Sequence, residues 1–73
     1  MSMMKFVLIA LLTNTQVGEY RTMKSCQDAI RVIYEQKVDP LHIIRQKNPE
    51  SFKQIVDIRM KYSAPYEYKC LRK

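Results

Sequence analysis

The stretch MSMMKFVLIALLTNTQVGEYRTM, Met1 to Met23, decides the fold. Within it Lys5 is followed by an unbroken apolar run, Phe6 to Leu12. A positive charge before a short apolar run is the layout of a secretory signal peptide, which here would be residues 1–18. A short apolar run bounded by turn formers is also the layout of a strand buried on both faces. Signal cleavage needs small residues at Ala-x-Ala-like spacing, and TNTQVGEY has no such pair. The run is also far short of the roughly 20 residues that cross a bilayer as a helix. Thr13-Asn14-Thr15 supplies a turn, with Asn14 suited to the left-handed conformation. After it QVGEYRTM alternates, with Val17, Glu19, Arg21 and Met23 on one side and Gly18, Tyr20 and Thr22 on the other. That mixed polarity fits an edge strand beside a central one. Cleavage would leave this second strand without its hairpin partner, so Phe6–Leu12 reads as a retained strand.

Beyond the hairpin the period changes from two to that of a helix. Ser25, followed by Asp28, resembles a capping box and marks a helix start. Cys26, Ala29, Ile30, Ile33, Lys37 and Val38 then recur at helical spacing, with Val32 and Tyr34 flanking. Gln27, Arg31 and Glu35 make the polar face, and Arg31 and Glu35 stand at i, i+4. Asp39-Pro40 and Asn48-Pro49 repeat one device, a capping side chain before a proline at the first helical position. The first predicts a short helix from Pro40 to about Gln46 and the second a longer one from Pro49 to about Tyr62. Phe52, Ile55, Val56 and Met60 form the expected buried stripe of the longer helix, and Lys53, Asp57 and Lys61 a charged ladder. Ser63-Ala64-Pro65 should end it, because a residue before proline avoids the α region.

The tail YEYKCLR alternates again, with Tyr66, Tyr68 and Cys70 on one face and Glu67, Lys69 and Leu71 on the other. The expected fold is therefore α+β, in the order β-β-α-α-α-β. A three-stranded antiparallel sheet in the order 2-1-3 packs against two or three helices. The helices do not suffice for both sides of the first strand, so part of its second face is expected in a self-association interface.

A chain of 73 residues makes one small domain, residues 1–73. Its composition, 47% hydrophobic and 27% charged, is globular rather than disordered. The formal charge is +6. Residues 1–36 hold four Lys/Arg against three Asp/Glu, and residues 37–73 hold nine against four. A basic half favours nucleic acid, anionic lipid or an acidic protein surface, and it equally serves solubility.

No catalytic signature stands out. One glycine cannot build a phosphate-binding loop, and GxGxxG, GxxxxGK and GxSxG are all absent. His42 is the only histidine and, with two cysteines, does not complete a zinc ligand set. No enzyme, metal or cofactor is expected. Cys26 at a helix start and Cys70 in the last strand fall under the same helix if the face assignments hold, so their Cβ atoms are expected within bridging range. Such a bridge closes a loop of about 45 residues, for which a chain-entropy model gives about 4 kcal/mol. Its formation depends on an oxidising compartment. Tyr66 and Tyr68 alternate with Lys69 near Arg72, a mix that single-strand binders use for stacking, although alternation turns these tyrosines toward the core. Lys53, Lys61, Lys69, Arg72 and Lys73 are the candidate nucleic-acid contacts.

In GEYRTMKSCQDAI and the terminal YEYKC the chain resembles small uncharacterised phage-encoded α+β proteins with an apolar N-terminal strand and a helix/strand cysteine pair. The likeness covers both ends and not Pro40 to Met60. It implies a viral accessory protein in the host cytoplasm, or in the periplasm if residues 1–18 act as a signal peptide. The expected function is binding to another protein, from the host or a second copy. The alternatives are nonspecific nucleic-acid binding through the basic half and an exported two-cysteine protein.

Overall fold

In the computed structural model, which describes residues 5–73, Phe6–Ala10 (β1) pairs antiparallel with Thr15–Tyr20 (β2). Asn14 in the connecting turn takes φ 52°, the left-handed conformation that asparagine tolerates. Leu8 stands opposite Gly18 and Ile9 opposite Gln16, which leaves Val17 as the extra residue of a β-bulge. The ring of Tyr20 lies over Gly18, where a Cβ would meet the tyrosine oxygen at 3.0 Å. A larger residue there would have to displace that ring. The first four residues of the candidate signal segment lie outside the described residues.

Three helices follow: Met23–Val38 (α1), Ile43–Lys47 (α2) and Pro49–Glu67 (α3). Tyr68–Arg72 (β3) then returns antiparallel along the other edge of β1, so the sheet order is β2-β1-β3. This is the α+β fold and the strand order that the alternation predicts. Hydrogen bonds from Leu11 N–H to the Glu67 carbonyl (2.8 Å) and from Lys73 N–H to the Lys5 carbonyl (2.9 Å) extend the β1–β3 pairing at both ends.

Cross-strand partners share a face of the sheet. Leu8, Gly18 and Cys70 therefore face the helices, while Val7, Glu19 and Leu71 face away. The core forms on the helix side, from Leu8, Cys26, Ile30, Tyr34, Phe52 and Val56. Leu8, Cys26, Tyr34 and Val56 are its most completely enclosed side chains. All three helices are joined by contacts to one another or to the sheet on this side.

Several boundaries differ from the sequence reading, each for a local reason. Thr22, not Ser25, caps α1: the Ser25 backbone N–H donates to Thr22 Oγ1 at 3.0 Å. Asp39 is a cap as expected, but its side chain reaches across a turn. It accepts from the backbone N–H groups of Ile43 (2.8 Å), Ile44 (3.2 Å) and Arg45 (3.0 Å), so α2 starts at Ile43 rather than Pro40. Asn48 caps α3 as expected, accepting from Ser51 N–H at 3.3 Å with proline in the first turn. Pro65 does not stop α3 and lies inside its last turn. Tyr66 is consequently helical and exposed, not a core residue of the last strand. Ile55 is likewise exposed, because the buried face of α3 runs through Phe52 and Val56. Asp57 pairs with Arg31 across the α1–α3 interface, so the Lys53–Asp57–Lys61 ladder is not the pairing that Asp57 makes. The expected Arg31–Glu35 ion pair is present at 3.9 Å.

Candidate interaction surfaces

The outer side of α3 carries an apolar stripe. Ile55, Ile58, Tyr62 and Tyr66 follow one another at intervals of three, four and four residues, which keeps them on one helix face. Their exposures rise from 40% at Ile55 through 57% and 68% to 75% at Tyr66. The inner face of the same helix is apolar too, with Phe52 and Val56 in the core and Met60 and Ala64 packed against it. A helix apolar on two faces is expected to be covered on both. Lys53, Arg59 and Lys61 are exposed on the same helix, and the Lys61 ammonium lies 5.9 Å from the Tyr62 ring. The spacing of the stripe is present in the sequence, but reading Pro65 as the helix end cuts it short and assigns Tyr66 to a strand.

Among the described residues the outward face of the sheet is a second face that no helix covers. Val7 at its centre is only 9% exposed, between its neighbours Glu19 and Leu71. Glu19 pairs with Lys73 at 3.2 Å and with Lys5 at 3.8 Å. The Lys73 hydrogen bond and charge, with help from Gln16 and Lys5, hold the Glu19 carboxyl below its ordinary range.

The five nucleic-acid candidates do not gather on one surface. Lys53 and Lys61 belong to the helix layer, while Lys69 and Lys73 alternate with Cys70 and so fall on the outward side of the sheet. Lys73 is engaged with Glu19, and Arg72 stands opposite Phe6 in the pairing. Tyr68 packs edge-on against Tyr34 at 5.9 Å, on the helix side, where it is not a free stacking platform. His42 is exposed, with φ 58° at the residue before α2. Among the described residues no group of three or more His, Cys, Asp or Glu is placed to hold a metal, and no helix is long and apolar enough to cross a membrane.

Two polar clusters fix the helices from which these surfaces are built. The Tyr34 hydroxyl donates to Glu67 Oε1 at 2.7 Å, and Lys37 lies 3.6 Å from Glu67 Oε2. The Lys37 ammonium also sits 5.1 Å from the Tyr34 ring and 5.2 Å from the Tyr68 ring. Burial, and then the bond to Glu67, push the Tyr34 hydroxyl far above the usual tyrosine range. The Tyr34 bond in turn outweighs desolvation and, with Lys37, holds Glu67 below the usual carboxylate range. At Asp39 burial raises the pKa, but the three backbone donors and the Arg45 charge outweigh it, and the carboxyl is held low.

Cys26 and Cys70 are joined by a disulfide with their Cα atoms 6.2 Å apart, tying the first turn of α1 to β3. Beside it is an open groove of about 580 Å³, walled by Met23, Gln27 and Ile30 of α1, Met60 and Pro65 of α3, and Cys70 of β3. No protein family, characterised protein or solved structure matches this chain.

Proposed function

We propose that this is a small accessory protein that acts by binding another protein, with the outer stripe of α3 as the contact. The observation that carries the reading is the run Ile55, Ile58, Tyr62 and Tyr66, exposed along one helix face that spans about 16 Å at 1.5 Å per residue. Contiguous apolar surface on a small domain marks an interaction site, and tyrosine is enriched in interface cores. The cations beside the stripe favour a partner with an apolar centre and an acidic rim. A second copy is the other occupant. An antiparallel pair of α3 helices sets Ile58 against Tyr62 of the copy, but it also sets Arg59 level with Lys61 of the copy. The charge of +6 on each chain adds to that repulsion. The basic candidates, divided between two sides of the sheet, support nucleic-acid binding less well.

The test is a photoreactive amino acid at position 62, irradiated in cells that express the chain. A discrete crosslinked heterocomplex is expected, and an Ile58→Asp substitution should abolish it. Both residues are exposed, so the folded state, monitored by circular dichroism, should survive the change. A crosslink to a second copy would replace the acidic partner with self-association. A heterocomplex unaffected by Ile58→Asp would remove the stripe from the reading.

A further inference from the structure

The two sulfurs of the disulfide are not equivalent toward solvent. Cys26 is 0% exposed, enclosed with Leu8, Ile30 and Val56 in the core. Cys70 is partly exposed and lines the open groove between α1 and α3. An attacking thiolate approaches one sulfur of a disulfide from the side opposite the sulfur that leaves, and access decides which one it reaches. Of the two residues only Cys70 has any exposure, and it is the one on the groove. The sulfur left behind stands in the first turn of α1, where the Cys26 N–H closes the first helical bond to the Thr22 carbonyl at 3.1 Å.

We propose that Cys70 is a thiol-exchange site, served by this groove and reached by a low-molecular-weight thiol. The thiolate attacks Cys70 Sγ and forms a mixed disulfide with it. The Cys26–Cys70 bond breaks, and its electron pair goes to Cys26 Sγ as a thiolate. In this step one thiolate and one disulfide become another thiolate and another disulfide, and the release that follows leaves the protein's disulfide reduced at the expense of two small thiols. A second thiol molecule attacking the mixed disulfide releases Cys70, with the two small thiols leaving as their own disulfide. The groove is wide enough for a tripeptide-sized thiol, with Gln27 on its polar margin. Its remaining walls are mostly apolar.

The test uses the oxidised protein as it is. A brief exposure to glutathione is stopped with acid, and trypsin then cuts after Lys24 and after Lys69, which puts the two cysteines on separate peptides. The mixed disulfide is expected on the Cys70 peptide in about tenfold or greater excess over the Cys26 peptide, the selectivity that site-dependent access gives. Exchange through global unfolding would expose both sulfurs and mark them alike. A second measurement tests the groove. Gln27 is exposed on its wall, so Gln27→Trp fills it without touching the core and should slow the exchange several-fold at unchanged Tm. Equal labelling, an adduct chiefly on Cys26, or a rate that Gln27→Trp leaves unchanged would overturn the proposal.

Discussion

Tyr34 shows how much one side chain can organise in a domain this small. Its ring is almost wholly buried, its edge meets Tyr68, and its hydroxyl donates to Glu67. It thus ties α1 to the last turn of α3 and to the start of β3. Removing only the oxygen, Tyr34→Phe, keeps the packing and deletes the hydrogen bond. The expected loss is about 1 kcal/mol of unfolding free energy, measured by urea titration at neutral pH. A second signature follows from linkage. Glu67 has a folded pKa below its ordinary value of 4.5, so its contribution is complete above that value and disappears as pH falls through the depressed one. The hydroxyl is the largest cause of the depression. Tyr34→Phe should therefore flatten the loss of stability on acidification, and curves that stay parallel down to low pH would contradict this role. Glu19 and Asp39, also held low, keep part of the acid sensitivity in either protein.

At the scale of elements, the disulfide is the longest covalent constraint, linking positions 44 residues apart. Replacing both cysteines with alanine should lower unfolding free energy by about 4 kcal/mol on the chain-entropy estimate. Chemical denaturation of the oxidised and substituted proteins measures the difference, and a change below about 1 kcal/mol would mean that packing already restricts the unfolded chain. Elements fixed by local chemistry were legible in the sequence. Asn48-Pro49 gave the start of α3, and the apolar run with its flanking alternations gave the sheet order. Elements decided by tertiary contacts were not. Pro65 is accommodated because Lys61, whose carbonyl would have accepted its missing N–H, is exposed and α3 ends two residues later. Ala64 packs on the core and its carbonyl accepts the Tyr68 N–H, so the helix keeps its last turn despite the local preference. Tyr66 joins the apolar stripe only with that extra turn. The groove joins residues from three elements and had no local signature at all.

The whole molecule is elongated, 46 × 26 × 19 Å, with helices on one side of a small sheet. Such a shape leaves much apolar surface in solvent and spreads the charge of +6 over well-separated regions. Any nucleic-acid affinity should accordingly be nonspecific, with a Kd in the range of roughly 10⁻⁴–10⁻⁶ M and a steep fall between about 50 and 200 mM salt. Fluorescence anisotropy with oligonucleotides of different sequence checks both features, and a sequence preference that survives the higher salt would favour the nucleic-acid alternative. The sheet order also imposes a timetable. Leu8 pairs with Gly18 almost as soon as both are synthesised, but its other partner, Cys70, is translated only after α1, α2 and α3. Until then the most apolar strand has one bare edge, and bare strand edges recruit neighbouring chains. The hazardous interval is therefore set by the time taken to translate α1 through α3. A pause in translation ahead of Tyr68 should raise the aggregated fraction, whereas one before Met23 should not.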